Sequence, residues 1–420
     1  EKNSYGYLTF LLLLSGIGFL LGLVVLDYVF KVKVPSQNQS IFYFILLASV
    51  FLFRLLFNNL DAYNRMLYNV TLGQFLLNVV LKGLILVFII GFSWNLIALE
   101  SLYALHVVAL CSPGIILLIY LLFKSRHGLS IKPFFNRFRE LQIKKDFIQT
   151  SFYSLVGAIG GIVVLEIDRL MLFDFMGTKE VGIYSTAALF GVMVNIPSRA
   201  LRGIASVVIS DSWKRGDIQN ISTVYKKSTL NLQILSGFLF ICIVLCSKYV
   251  YSFMKPEYIK GIDVILLIAI SQFVDALTSV NTEILSTSKS YKYQTLFMFL
   301  MIGLVVGLNY SLIPEYGMKG AAISTMLSII ITNIVRTIFI KVKFGLSPFT
   351  MKNLKVLIIT VGVFFAANFV DSSLALNEIF NLIIVGTFTT VLFWSIILKL
   401  NISEDFSVVI NKFFKSFVNR

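Results

Sequence analysis

The stretch VVLEIDRLMLFDFMGTKEVGIYSTAALF, residues 163–190, sets Glu166, Asp168 and Arg169 inside an otherwise apolar run. Ionisable groups at hydrocarbon depth are costly, so each is a candidate for handling an ion or a substrate. Glu166 and Arg169 are three apart and share a helix face, while Asp168 points elsewhere. Two readings stand side by side: Glu166 and Arg169 neutralise each other, or a carboxylate, Asp168 or Glu166, binds the cation or proton that drives transport. Asp275 falls near the middle of the apolar run 262–287, too deep to snorkel to the interface. Ser271, Asp275, Thr278 and Thr282 recur at helical spacing as one polar stripe, which faces either a water-filled pathway or a buried partner. Glu283 reads as a residue of the span's end.

Cations form the second set. Pro197 in NIPSRALRG can break its helix, and Arg199 and Arg202 share a face one turn on. Thr325, Ser328, Thr332 and Arg336 line one face of the run 318–340, with Asn333 beside it. Without the arginine, that face would read as helix-packing glue. The run 73–97 contributes Asn78 and Lys82, and the span before it ends in Arg54. Fixed cations in a low-dielectric vestibule attract an anionic head group such as a phosphate, which arginine grips with two parallel bonds. Lys82, Arg199, Arg202 and Arg336 are therefore candidate head-group contacts, with Asp275 beside them. Snorkelling toward the interface is the competing explanation for Arg54 and Arg336.

Catalytic chemistry is not foreshadowed. The sequence shows no phosphate-binding Gly-Lys loop, nucleophile elbow or metal-ligand spacing, and neither a cofactor nor a metal is expected. His106 and His127 are isolated; Cys111, Cys242 and Cys246 lie in apolar runs and read as small buried hydrophobes. The loops are too short for an external active site. The chain is expected to move something rather than transform it.

The elements that must position these residues follow from hydropathy. The 420 residues are 57% hydrophobic and 14% charged, against roughly 25% charged in soluble domains. Apolar runs recur at about the 20-residue length that crosses a ~30 Å hydrocarbon core. Strand-type alternation is absent, so helices satisfy the backbone. Twelve spans are expected, at about 5–28, 41–57, 73–97, 101–123, 148–175, 181–209, 229–253, 262–287, 293–313, 318–340, 354–370 and 379–399. The net charge of +15 is explained by topology rather than by nucleic-acid binding. With segment 124–147 and its seven basic residues set on the cytoplasmic side, alternation places 23 of the 36 Lys and Arg residues inside, and both termini with them. The same segment separates an N-terminal lobe of four helices, 1–123, from a six-helix lobe, 148–341. Two additional helices and an amphipathic tail follow over 342–420. FFNRFRELQIKKDFIQ and EDFSVVINKFFKSFVNR both read as helices lying on the inner membrane surface, anchored among membrane lipids.

Four stretches carry a resemblance. EIDRLMLFDFMGTKEVGIYSTA, YKKS at 225–228, ILSTSKSYKYQ and LNYSLIPEYGMKGAAISTMLS at 308–328 occur in the order found in Wzx-like O-antigen and capsule flippases. That family belongs to the multidrug/oligosaccharidyl-lipid/polysaccharide exporter superfamily. The resemblance is carried by 146–341; the N-terminal third is similar mainly in hydropathy. It implies an all-α, two-lobed, V-shaped MATE-like transporter opening alternately to each side of the bacterial plasma membrane. The implied substrate is a polyprenyl-pyrophosphate-linked oligosaccharide, with Na+ or H+ coupling carried by Asp168 or Asp275 and a polysaccharide polymerase as partner. If 148–175 matches the family's seventh helix, two helices precede Glu1; a twelve-helix variant is the other reading. The competing function is a multidrug cation exporter of the same superfamily, whose substrates call for acidic rather than basic cavities.

Overall fold

The computed structural model describes residues 11–13, 15–20, 22–24, 27, 37–66, 70–124, 160, 162–164, 166–252, 254–278, 280–373 and 377–406. They are helical apart from turns, and no strand occurs among them. Nine of the described helices are long and apolar enough to cross a membrane, ten if one bent pair counts as a single span. These ten correspond to ten of the twelve expected runs. Of the other two, 5–28 is represented by a 14-residue apolar helix and 148–175 by the residues from 160 onward. The expected interfacial segment after Lys124 and the tail from 407 lie outside the described residues. The chain divides into two compact units, Glu1–Ser151 and Phe152–Arg420.

The first unit contains α1 (Leu11–Val24), α2 (Gln37–Met66), α3 (Val70–Phe75 running through a π-helical turn, Leu76–Val80, into Leu81–Ser93) and α4 (Leu99–Lys124). Phe57, Leu60, Leu76, Leu117 and Leu121 form its core. The close approach of α2 and α4 depends on Gly114, where a Cβ would lie 2.5 Å from the Phe53 carbonyl oxygen. Asn59 donates to the Ser15 hydroxyl at 2.7 Å, fastening α2 to α1.

The second unit begins with the helical stretch 166–176, α5, which Gly177 at φ +86° turns into α6 (Thr178–Val192). A 3-10 turn, Met193–Asn195, leads to α7 (Ile196–Arg215). The break expected at Pro197 thus lies just ahead of it. The proline occupies the first turn of α7, where its missing N–H costs no intrahelical bond. There follow α8 (Ile218–Ser252), a 3-10 segment Pro256–Gly261, α9 (Ile262–Leu277), α10 (Asn281–Thr287), α11 (Tyr291–Tyr316), α12 (Met318–Phe344), α13 (Met351–Ser373) and α14 (Glu378–Lys399).

Two of the apolar clusters that hold this unit bear on the site and on the last two helices. Leu172, Tyr184, Ala187, Ile265, Ile268, Ala321 and Ala322 join α5, α6, α9 and α12. The small residues on α12 let α11 approach, most tightly at Gly320, where a Cβ would fall 2.1 Å from the Leu312 carbonyl oxygen. Leu230, Ile234, Ile241, Val363, Val385 and Phe393 bind α13 and α14 to α8. Ile204, Val207, Phe365, Phe369 and Val391 point outward from their helices, a pattern that suits hydrocarbon as solvent.

The expected run 262–287 is bent rather than straight. The chain bends by 49° between α9 and α10, so the stripe Ser271–Asp275–Thr278–Thr282 is not one continuous face. Ser271 is buried and donates to its own helix, at Ile268 O, 2.7 Å away. Asn281, the first residue of α10, accepts from the Tyr225 hydroxyl on α8 and donates to Thr337 on α12 at 2.8 Å. Tying one amide to two flanking helices pulls the chain off the α9 axis and sends Thr282 toward α12.

Overpacking the α11–α12 contact with Gly320→Leu is expected to cost roughly 1–3 kcal/mol. A lower thermal-unfolding midpoint in detergent would register this. Gly362→Leu, at a position with nothing within 4 Å of a Cβ, should leave the midpoint unchanged.

Candidate functional site

Helices α5, α6, α7, α9, α11 and α12 of the second unit surround a cavity of about 370 Å3. Its wall is polar at two places, each organised around a carboxylate.

Asp168, on α5, is 6% exposed. The turn at Gly177 folds α6 back so that Tyr184 donates to Asp168 Oδ2 at 3.0 Å. Asn309 on α11 donates to Oδ1 at 2.8 Å, and the Thr325 hydroxyl on α12 donates to Oδ2. Three neutral donors from three helices thus converge on one carboxylate. Hydrogen bonds to a charged group contribute about 1.5–3 kcal/mol each, offsetting its removal from water. The Asn309 carbonyl oxygen is buried and accepts no hydrogen bond among the described residues. Glu166 and Arg169 pair with each other through both carboxylate oxygens, at 2.9 and 2.7 Å.

Asp275 is the second centre. Its Oδ2 accepts from Asn195 at 2.8 Å and from Arg202 at 3.0 Å, and its Oδ1 accepts from Asn333 at 3.1 Å. Asn195 also donates to Gln272 at 3.0 Å. The 3-10 turn before Pro197 presents Asn195 here, and one and a half turns of α7 bring Arg202 to the same carboxylate. Arg336 is 8% exposed and donates to Thr282 and Asn333, both at 3.3 Å. Its guanidinium lies 5.8 Å from the Phe297 ring centre, a cation–π contact. The Nε atoms of both Arg202 and Arg336 are buried with no acceptor among the described residues. The Thr332 hydroxyl in the same wall is likewise unbonded.

Of the residues singled out from sequence, Asp168, Asp275, Arg202 and Arg336 meet around this one cavity, and Arg199 lines it with an exposed side chain. Glu166 engages Arg169. Lys82 belongs to the first unit, where its exposed ammonium donates to Asn78 at 3.2 Å. Sequence reasoning passed over Tyr184, Asn195, Gln272 and Asn309 and placed Glu283 at a span end. Its guide was formal charge; buried amides in apolar runs are the signal that would have found most of them. No group of three or more His, Cys, Asp or Glu able to hold a metal occurs among the described residues. An alkali cation would find the Asp168 carboxylate beside the Asn309 carbonyl and the Thr325 hydroxyl, all oxygen donors suited to a hard ion.

No family model and no curated protein matches this sequence. Solved structures do. The chain is similar to the lipid II flippase MurJ in an inward closed conformation, with a TM-score of 0.67 and 15% identity over 96% of this chain and 86% of that one. It is similar to a multidrug resistance MATE family transporter of the MOP superfamily in an inward-facing conformation, at TM-score 0.63 and 12% identity, over 80% and 79% of the two chains. A third is a MOP superfamily transporter from Pyrococcus furiosus, described as having a binding pocket of reverse polarity. The TM-score there is 0.61, with 12% identity over 82% and 79%. The fold is therefore that of the MATE- and MurJ-like membrane transporters, and the protein is a multi-pass membrane protein.

Truncating Asp168 to alanine should strand the Tyr184, Asn309 and Thr325 donors together, at about 1–3 kcal/mol for each group left unsatisfied. The thermal midpoint in detergent should fall clearly for Asp168→Ala and less for Asp168→Asn, which keeps an acceptor oxygen.

Proposed function

We propose that this protein flips a polyprenyl-pyrophosphate-linked oligosaccharide, an O-antigen, capsule or exopolysaccharide repeat unit, across the bacterial plasma membrane by alternating access. The observation that carries this reading is the pair of guanidiniums at one polar cavity, Arg202 half-buried and Arg336 buried, each with a buried and unspent Nε–H. Planar forks with donors to spare match the oxygens of a diphosphate, and Arg199 adds an exposed cation at the cavity wall. Lys82 is the first unit's candidate for attracting the same charge. Asn195, Gln272, Asn333 and Thr332 supply the amide and hydroxyl groups that sugars require. MurJ is named as a flippase of lipid II, a lipid substrate, which supports a lipid-linked cargo here.

In this reading Asp168 carries the coupling cation. Sodium would bind among its carboxylate, the Asn309 carbonyl and the Thr325 hydroxyl; a proton would sit on the carboxyl itself. Glu166, spent on Arg169, orients that arginine instead. The Lys and Arg distribution sets both ends of this chain on the cytoplasmic side, where the lipid-linked unit is assembled, and a polysaccharide polymerase would receive it on the other side.

A multidrug cation exporter is the second reading, favoured by the likeness to a multidrug resistance MATE transporter. It requires a carboxylate accessible to a bulky cationic drug, whereas Asp275 already accepts from Arg202 and two amides, and Asp168 is 6% exposed behind its three donors.

In a strain that lacks its polysaccharide flippase and a surface polysaccharide, the wild-type gene should restore the polymer. The combined Arg202→Ala and Arg336→Ala variant, matched for membrane abundance, should restore less than a tenth of it. Full restoration would contradict the proposal, as would drug resistance without polysaccharide. Asp168→Asn should remove the dependence of transport on a sodium or proton gradient while leaving head-group binding in place.

A further inference from the structure

Four ionisable groups from four helices lie where α9 gives way to α10: Arg202 pairs with Asp275, and Arg336 donates to Thr282, the residue before Glu283. Arg202 on α7 and Arg336 on α12 are the basic members; Asp275 on α9 and Glu283 on α10 are the acidic ones. The charges acting on Glu283 are those of Arg202, Asp275 and Arg336. The helices packed against α10 are α7, α11 and α12. From α11 the nearby ionisable residues are Tyr291, Lys292 and Tyr293, all exposed, as is Lys289 in the preceding turn.

The two carboxylates that line the cavity, Asp168 and Asp275, and the two beyond its wall, Glu166 and Glu283, differ in one respect. Both oxygens of Asp168 accept hydrogen bonds, both of Asp275 do, and both of Glu166 are taken by Arg169. Glu283 Oε2 is buried and accepts none among the described residues. A bare, buried carboxylate oxygen is an uncompensated polar group, and a proton is the smallest species that can complete it. The guanidinium Nε–H groups of Arg202 and Arg336 are unspent in the same place, the latter on a side chain only 8% exposed. One end of the cluster thus has a bare acceptor oxygen and the other has unspent donors.

We infer that Glu283 is a proton site linked to the anion site of Arg202 and Arg336: the diphosphate enters this cluster together with a proton that Glu283 takes up. The inference rests on the reading of the cavity as a diphosphate site. Before the anion arrives, two guanidiniums face two carboxylates and the charges cancel. An anion added to that balanced set in a low-dielectric wall would meet the repulsion of both carboxylates. Protonating Glu283 removes one of them and leaves the guanidiniums to face Asp275 and the incoming phosphate oxygens. Asp275 holds Arg202 in place throughout, so Glu283 is a positioning and charge-setting residue rather than a contact. The step is a simple balance: one proton passes from water to the Glu283 carboxylate as the anion binds, and it returns to water when the anion leaves.

The test uses the whole chain in lipid nanodiscs and a short-chain prenyl diphosphate-sugar, a pyrophosphate diester that stays fully ionised through the neutral range. Calorimetry in buffers of different ionisation enthalpy reads proton uptake directly. Wild type should take up close to one proton per probe bound, and affinity should rise as pH falls, by at most about tenfold per pH unit. Glu283→Gln, which keeps the shape and carries no charge, should bind at the wild type's low-pH affinity at every pH and take up no proton. Arg202→Ala with Arg336→Ala should bind at least tenfold more weakly. Wild-type binding that needs the arginines but takes up no proton overturns this inference alone, as does unchanged proton uptake in Glu283→Gln. Absence of arginine-dependent binding at any pH overturns the diphosphate reading and this inference with it.

Discussion

A charge inside a hydrocarbon-bounded helix bundle persists only when its surroundings replace the water it has lost, and the second unit of this protein is arranged around that requirement. Asp168 is matched by three neutral donors drawn from α6, α11 and α12. Asp275 is matched by Asn195 in the turn before α7, by the Arg202 guanidinium on α7 and by Asn333 on α12. Each carboxylate therefore acts as a clasp between helices. The same matching leaves a pattern of surpluses: unspent guanidinium donors on the cavity-lining Arg202 and Arg336, an unoccupied amide carbonyl on Asn309 and a bare carboxyl oxygen on Glu283. In the proposed function the clasps stabilise the fold and the surpluses supply the chemistry.

The two clasps differ in kind, and that difference suggests how they divide the work. A carboxylate ringed by neutral donors and an extra oxygen has net negative charge to offer, which suits a cation. A carboxylate bound to arginine has none to offer, but it holds a guanidinium in position for a second anion. Ion and head group would then occupy neighbouring walls of one cavity and sense each other electrostatically over a short low-dielectric path. Coupling on this account needs no distant relay.

Much of this was legible in the residues. The apolar runs announced the helices, because span length and hydropathy are imposed by the bilayer rather than by particular partners. Asp275 and Asp168 stood out because charge at depth demands an explanation. The Pro197 break was legible for the same kind of local reason, and the structure shifts it only to the 3-10 turn that precedes the proline. What was not legible depended on contacts between distant segments. The bend after Leu277 contains neither proline nor glycine; it arises from Asn281 being held by Tyr225 and Thr337, 56 positions away on either side. Helical spacing therefore drew one stripe where the chain builds two faces. Asn195 and Asn309 look like ordinary polar residues in sequence and acquire meaning only through the carboxylates they meet. Glu283 was read by its distance along a span, and its surroundings are set by α7 and α12 instead.

The central claim, that the arginine-lined cavity handles the diphosphate of a lipid-linked oligosaccharide, is tested most directly by reconstitution. The purified protein in liposomes would be supplied with a fluorescent polyprenyl-pyrophosphate oligosaccharide, and its appearance in the opposite leaflet timed by quencher accessibility. The account predicts transfer by the wild type that is at least tenfold faster than in protein-free liposomes and that is lost in the combined Arg202→Ala, Arg336→Ala variant. Transfer at the wild-type rate by that variant, or equal transfer of a neutral lipid-linked sugar lacking the diphosphate, would contradict it.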